Sequence, residues 1–76
     1  MKYYLIDESY GLLDEANKLA EKWKQLAESN NLLPIEKHVK IEELERSKYI
    51  EKANSYATVW HIYISEDLQK ISDQSN

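Results

Sequence analysis

Cysteine and phenylalanine are absent from this 76-residue chain, and glycine and proline occur once each. Without cysteine, neither disulfide bonds nor thiolate metal ligands can hold the fold together. With Gly11 as the single glycine, the chain has no glycine-rich loop to cradle a phosphate and no glycine-flanked serine elbow. No apolar run is long enough for a signal peptide or a membrane span. We therefore expect one small, soluble, cytoplasmic domain.

The net charge is −4, from fourteen carboxylates against ten lysine and arginine residues. Nucleic-acid binding needs clustered cations, so this balance makes a nucleic-acid partner an unfavoured hypothesis. The charge suits a protein partner with a basic or mixed surface, although solubility alone explains it. A chain of this length buries only about 60% of its unfolded surface, so a partner or a second copy would add stabilising contact area.

All the aromatic residues are tyrosine or tryptophan, each with an apolar body and a polar tip. Such residues are enriched where one protein contacts another. They concentrate in two apolar runs, residues 3–6 and 56–64. We expect Trp23 and Trp60 to anchor the core, so Tyr4 and Tyr63 are the better candidates for a contact surface.

A short strand over residues 2–6 and an amphipathic helix open the chain. Apolar residues recur at three- and four-residue steps, which places one stripe on a helix; they are Leu12, Leu13, Ala16, Leu19, Ala20, Trp23, Leu26 and Ala27. Ser9 is expected to cap the start of this helix. Asn30 and Asn31, followed by Pro34, are expected to end it, because asparagine accepts a left-handed exit and proline cannot continue a helix.

The second half of the chain is predicted from weaker patterns. Residues 35–41 alternate between apolar and polar, which is typical of a half-buried edge strand. A second amphipathic helix is predicted over 42–55. Residues 57–64 are mostly β-branched or aromatic and predict a strand. A last helical turn is expected over 66–71, and residues 72–76 form a polar tail that we expect to be disordered.

Together these elements predict a single α+β (α/β) domain over residues 1–71, in the order β-α-β-α-β. Two amphipathic helices would cover one face of a two- or three-stranded sheet. In this arrangement Tyr49 and Tyr56 lie on the inner stripe of the second helix. An all-α helical hairpin stays open as an alternative, because that stripe continues in helical spacing through Trp60 and Ile64.

A sheet covered on one face leaves the other face open. In the last strand Trp60, Ile62 and Ile64 form the stronger apolar set, and we expect them to meet the helices together with Leu5. The opposite side chains would then form a partner-binding surface. Its predicted residues are Tyr4, Ile6, His38, Val59, His61 and Tyr63.

Catalysis and metal binding receive little support from the residues present. His38 and His61 are the only imidazoles, and Glu36 could add one oxygen. Zinc sites usually need three or four converging ligands, and no paired-histidine spacing occurs. Acidic pairs such as Asp7 and Glu8 are adjacent in sequence, so their carboxylates do not face each other. We therefore expect no catalytic residue, no cofactor and no metal, and we do not expect an enzyme.

The function that fits best is a small non-catalytic protein-binding module, acting as a stoichiometric inhibitor or accessory factor. Compositional analogy with phage and mobile-element proteins that block host or defence enzymes favours this hypothesis. One alternative is a homo-oligomer, such as a homodimer, that buries the same sheet face on itself and has a structural role. Another is a single-stranded nucleic-acid binder that stacks bases on the tyrosine face.

Overall fold

The computed structural model describes residues 2–44 and 48–74. Its elements are β1 (Tyr3–Tyr10), α1 (Leu13–Ser29), β2 (Val39–Glu43), β3 (Lys48–Ile50), β4 (Ser55–Ala57), β5 (Val59–Ser65) and α2 (Glu66–Gln74). Single 3₁₀ turns lie at Ile35–Lys37 and Glu51–Ala53. The domain is therefore a mixed α+β fold, as predicted, and the all-α alternative is wrong.

Strand β5 is the centre of the main sheet, with β1 and β2 on its two sides, and both pairings are antiparallel. Strands β3 and β4 form a separate two-stranded hairpin. Strand β4 of this hairpin ends at Ala57, one residue before β5 begins at Val59. The domain is elongated, measuring 41 by 23 by 18 Å.

Helix α1 packs its alanine-rich stripe on the sheet. Ala16, Ala20 and Ala27 are fully buried, and Trp23 and Leu26 pack against the core beside them. Small side chains allow the helix to approach the strands closely, and the tryptophan fills the wider space. The predicted core position of Trp23 is therefore confirmed, together with the helix itself.

The two ends of α1 differ in how well the sequence predicted them. Asn31 adopts a left-handed conformation with φ 60°, and its N–H donates to the Glu28 carbonyl at 3.2 Å. The Leu32 N–H donates to the Ala27 carbonyl at 2.9 Å, which completes a Schellman ending. The predicted end is confirmed, but the predicted cap is wrong because Ser9 belongs to β1.

The core lies between the sheet and the two helices. It is formed by Ala20, Ala27, Val39, Ile62, Ile64 and Leu68, all buried. Ile62 and Ile64 on β5 face the helices, so their predicted direction is confirmed. Leu68 is contributed by α2, which was predicted only as a turn and which continues to Gln74. Helix α2 thus takes in residues 72–74 of the predicted tail, while 75 and 76 lie outside the described residues.

The predicted second helix over 42–55 is wrong. The described part of this segment completes β2, then forms β3, the second 3₁₀ turn and the start of β4, while residues 45–47 lie outside the described residues. Tyr49 and Tyr56, separated by helical spacing in the sequence, instead face each other across the hairpin. Their rings meet edge to face at 5.3 Å, a contact that favours the paired strands.

The predicted edge strand over 35–41 is displaced toward the C-terminus. Residues Ile35–Lys37 form a 3₁₀ turn, and β2 begins only at Val39. The Lys37 N–H donates to the Pro34 carbonyl at 3.1 Å, which closes the turn. The alternation of apolar and polar residues therefore holds from Val39 onward, where the segment pairs with β5.

The side chains of β1 face the opposite way from the prediction, and the strand carries a bulge. Leu5 lies opposite Tyr63, but the next paired residue, Asp7, lies opposite Ile62, so Ile6 is the extra residue. Leu5 consequently shares the face of Tyr63 and is 52% exposed, whereas Ile6 packs against the core. The predictions that Leu5 meets the helices and that Ile6 lies on the open face are wrong.

Candidate protein-interaction surface

The sheet face turned away from α1 and α2 is built from cross-strand rows. Residues opposite each other in antiparallel strands point to the same side of a sheet. The register therefore places six side chains together in two adjacent rows, which we call the open face: Leu5, Tyr63 and Lys40 in the first row, and Glu8, His61 and Glu42 in the second.

His61 lies at the centre of the second row and contacts both Tyr63 and Glu8. Its Nδ1 atom is 3.3 Å from the Tyr63 hydroxyl, and its Nε2 atom is 3.5 Å from the Glu8 Oε1 atom. The His61 and Tyr63 rings meet edge to face with centroids 6.1 Å apart. Both ring nitrogens of His61 thus have polar neighbours, which holds the imidazole in one orientation.

The second row is acidic on both sides of the imidazole. Glu8 on β1 and Glu42 on β2 are the strand partners of His61. Lys40 is the one cation among the six open-face residues, and its Nζ atom lies 4.3 Å from the centre of the Tyr3 ring. The open face therefore combines an apolar patch of Leu5 and Tyr63 with a pair of carboxylates.

Tyr3 covers one end of this face. Its strand partner is Ser65 on β5, and its hydroxyl donates a hydrogen bond to the Lys37 carbonyl at 2.8 Å, just before β2. The side chain therefore reaches across the central strand. Ser65 and His38, which share this end of the sheet, are both buried.

The contacts of His38 contribute to the stability of the fold. Its Nδ1 atom is 2.7 Å from the Ser65 Oγ atom, and the same hydroxyl accepts the Leu68 N–H at 3.2 Å. Ser65 thus caps the start of α2 while it holds the imidazole. The Ser65 N–H donates to the His38 carbonyl, so His38 lies four strand positions, about 13 Å, from His61.

The structure brings together two of the six predicted site residues, His61 and Tyr63. Tyr4 lies opposite Ile64, on the helix side of the sheet, and its hydroxyl is 3.4 Å from the Glu66 Oε2 atom. Val59 is only 1% exposed. Together with the buried His38 and the core-packed Ile6, these residues are not available as a continuous surface.

The two histidines that were considered as metal ligands lie apart from each other. His38 and His61 are separated along the sheet, and Glu36 lies in the first 3₁₀ turn rather than beside His61. Across residues 2–44 and 48–74, no group of three or more His, Cys, Asp or Glu side chains converges to hold a metal ion. The contacts of both imidazoles are with protein groups instead.

Sequence reasoning missed part of the open face for two identifiable reasons. Leu5 and Glu8 are placed by the bulge, which leaves no clear trace in the sequence. Glu42 was assigned to a helix, although the alternation from Val39 through Lys40 and Ile41 continues into it. Extending the period-two pattern by one residue would have placed Lys40 and Glu42 on one face.

A second exposed aromatic site lies on the hairpin. Tyr49 and Tyr56 are 45% and 72% exposed, although their rings contact each other. The Tyr49 hydroxyl donates to the side-chain carbonyl of Asn54, which has the positive φ of 52° that the turn requires. These residues were predicted to be inside, so the hairpin adds exposed aromatic area that the sequence did not indicate.

Neither family models, nor curated proteins, nor solved structures gave a match to this chain. Within the described ranges, neither helix has the length and the apolar character needed to cross a membrane. The open face and its contacts are therefore the features from which a function can be inferred.

Proposed function

We propose that this protein is a small non-catalytic module that binds another protein through the open face. The proposal rests on the two adjacent rows of the open face, one of which supplies apolar area and the other charge. Leu5 and Tyr63 supply apolar area, and Glu8 and Glu42 supply charge beside it. Contact sites combine these properties, with an aromatic residue at the centre and polar groups around it.

The arrangement of the carboxylates indicates the chemistry of the partner. Glu8 and Glu42 lie on opposite sides of His61, so a cationic side chain placed over this row would meet two acceptors. Arginine suits such a position, because its planar guanidinium pairs with carboxylates while its stem packs on a tyrosine ring. The expected partner therefore presents an arginine or lysine beside an apolar side chain, on a basic or mixed surface.

Such a module acts by occupying a surface rather than by turnover. We propose a cytoplasmic role as a stoichiometric inhibitor or accessory factor, which is consistent with a chain of 76 residues and net charge −4. The negative charge would accelerate encounter with a basic partner. A nucleic-acid role is less well supported, because Glu8 and Glu42 beside Tyr63 would repel phosphate groups.

The test begins by selecting binding partners from a displayed protein library of the source genome. Each partner is then titrated against Tyr63→Ala and Glu8→Lys by calorimetry. We expect both substitutions to raise the dissociation constant at least about tenfold, as central interface residues do. The matched controls are Tyr56→Ala on the hairpin and Glu28→Lys on α1, which should bind like the wild type.

Two outcomes would contradict this proposal. If all four variants bind with the affinity of the wild type and keep its circular dichroism spectrum, the open face is not the contact surface. Binding of a single-stranded oligonucleotide that becomes tighter in Glu8→Lys would instead support the nucleic-acid alternative, because removing a carboxylate and adding a cation favours phosphate.

A further inference from the structure

The outer edge of β2 presents a row of backbone groups. Among the described residues, β2 pairs with β5 alone and forms one edge of the sheet. Hydrogen bonds link Ser65 N–H to the His38 carbonyl and Leu44 N–H to the Val59 carbonyl. Even-numbered residues from 38 to 44 thus direct their backbone groups toward β5, because antiparallel ladders alternate.

The intervening residues must therefore point their backbone groups the other way. Val39, Ile41 and Glu43 direct three N–H and three C=O groups away from β5. Exposed edges of this kind readily pair with another strand, and proteins usually shorten, charge or cover them. Lys40 and Glu42, on either side of Ile41, carry opposite charges. They can therefore attract the charges of another strand as well as repel them.

The sequence of β2 is complementary to itself in antiparallel orientation. If two copies meet with Ile41 opposite Ile41 of the second copy, Lys40 lies opposite Glu42 of the second copy, and Glu42 lies opposite its Lys40. Val39 then pairs with Glu43 of the second copy, and Glu43 pairs with its Val39. Each outward-facing residue meets another outward-facing residue, so all three rungs can form hydrogen bonds. Both oppositely charged pairs fall on the open-face side, where such pairs stabilise strand association.

The helix side of the same edge carries an apolar hollow. Its volume is about 340 Å³, and it is lined by Lys24, Ile35, Glu36, Val39 and Ile41. Pairing around Ile41 would bring the hollows of two copies together across the two-fold axis. The isoleucine side chains at the axis would then cover apolar area that a single copy leaves in contact with water.

We infer that the protein forms a two-fold symmetric homodimer through the edges of β2. The two sheets join into one six-stranded antiparallel sheet with Ile41 on the symmetry axis. This surface differs from the face that the homo-oligomer hypothesis took from the sequence. The dimer does not require the proposed partner, although Lys40 and Glu42 belong to both surfaces, and it sets two open faces on the same side of a continuous sheet.

Charge reversal tests the register directly. In a two-fold dimer each cross-strand pair occurs twice, so Lys40→Glu or Glu42→Lys converts two attractions into two repulsions. We expect each single variant to raise the dimer dissociation constant by about tenfold or more, measured by sedimentation equilibrium. The double variant restores both attractions and should dimerise like the wild type.

The mixture of the two single variants is the sharpest measurement. One variant carries two acidic side chains at positions 40 and 42, and the other carries two basic ones, so each should be largely monomeric alone. Mixed in equal amounts, they should form a one-to-one heterodimer at concentrations where neither self-associates. Lys18→Glu, an exposed substitution on α1 with the same change in net charge as Lys40→Glu, is the control and should dimerise like the wild type.

Amide hydrogen exchange gives a readout at the residues concerned. Protection of the Val39, Ile41 and Glu43 amides should rise with protein concentration. The Lys40 and Glu42 amides bond to β5 and should stay protected at all concentrations. A monomer at millimolar concentration would overturn the inference. So would a dimer that is insensitive to both charge reversals, or a mixture of the single variants that does not associate.

Discussion

The Nδ1 atom of His38 lies 2.7 Å from the Oγ atom of Ser65, and both side chains are buried where β2, β5 and α2 meet. The same hydroxyl accepts the Leu68 N–H, so one side chain connects the residue before β2, the end of β5 and the start of α2. The Tyr3 side chain crosses this junction on the open-face side. Ser65, which in the sequence resembles an ordinary last residue of a strand, therefore links several parts of the fold.

Removing this hydroxyl should destabilise the fold. Ser65→Ala takes away the cap of α2 and leaves a buried imidazole nitrogen without its partner. Together these losses should lower the free energy of unfolding by about 1–3 kcal/mol, measured by urea denaturation. Ser55→Ala in the exposed part of β4 is the control, with an expected change within about 0.5 kcal/mol. Equal effects of the two substitutions would contradict the assigned role.

Gly11 is constrained by its backbone conformation rather than by space. Its φ is 101°, and an added Cβ atom would meet no atom within 4 Å. Its N–H donates to the Thr58 carbonyl, and its own carbonyl accepts the Trp60 indole N–H, both at 2.8 Å. Gly11→Ala should therefore cost about 1–2 kcal/mol through conformational strain alone.

The control for this position compares two larger side chains. Asparagine tolerates positive φ better than a β-branched residue does, so Gly11→Asn should cost less than Gly11→Val. Thermal unfolding of the three variants measures the order. A valine variant as stable as the asparagine variant would show that this position relaxes to negative φ without loss.

At the end of α1 we expect glycine to be more stabilising than alanine, which is the reverse of their order inside a helix. Asn31 has φ 60° and forms the left-handed residue of the Schellman ending. Asn31→Ala should lower the free energy of unfolding by about 1 kcal/mol, because alanine lacks the short polar side chain that makes the left-handed conformation accessible to asparagine. Asn31→Gly should be neutral or stabilising, since glycine is preferred there. If alanine proves as stable as glycine in a chemical denaturation series, the left-handed ending is not maintained in solution.

The tyrosine pair on the hairpin should contribute a measurable coupling. Tyr49 and Tyr56 contact each other edge to face, and both are exposed. A double-mutant cycle of the two alanine substitutions should give a coupling free energy of about 0.5–1 kcal/mol. The cycle between Tyr49 and the distant Tyr63 is the control and should give a coupling near zero. No coupling between Tyr49 and Tyr56 would contradict the β3–β4 register.

The sequence predicted the elements whose patterns are long and one-sided. The stripe of α1 has four turns of regular spacing, and the β-branched run of β5 excludes a good helix, so both could be recognised without knowing their neighbours. The alternation along β5 also assigned Ile62 and Ile64 to the helix side. These signals depend on local residues alone, which is why they were sufficient.

The predictions failed where long-range pairing decides the outcome. Tyr49 and Tyr56 have the spacing of a helical stripe, yet the contact that they make is across two strands. The faces of Leu5 and Ile6 depend on the register of β1 against β5, about sixty residues away along the chain, and the bulge then brings Glu8 to the face of Leu5. The same register determines which residues accompany His61 and Tyr63, so the open face could be predicted only in part.

The central position of β5 has a consequence for how the chain reaches its native state. Both β1 and β2 pair with β5, and they do not pair with each other. During synthesis, the first two strands of the main sheet must therefore wait until Val59–Ser65 has been made, while α1 can form earlier from local contacts. Pairings between such distant segments close slowly, so folding should begin with the helix and finish with the arrival of the central strand.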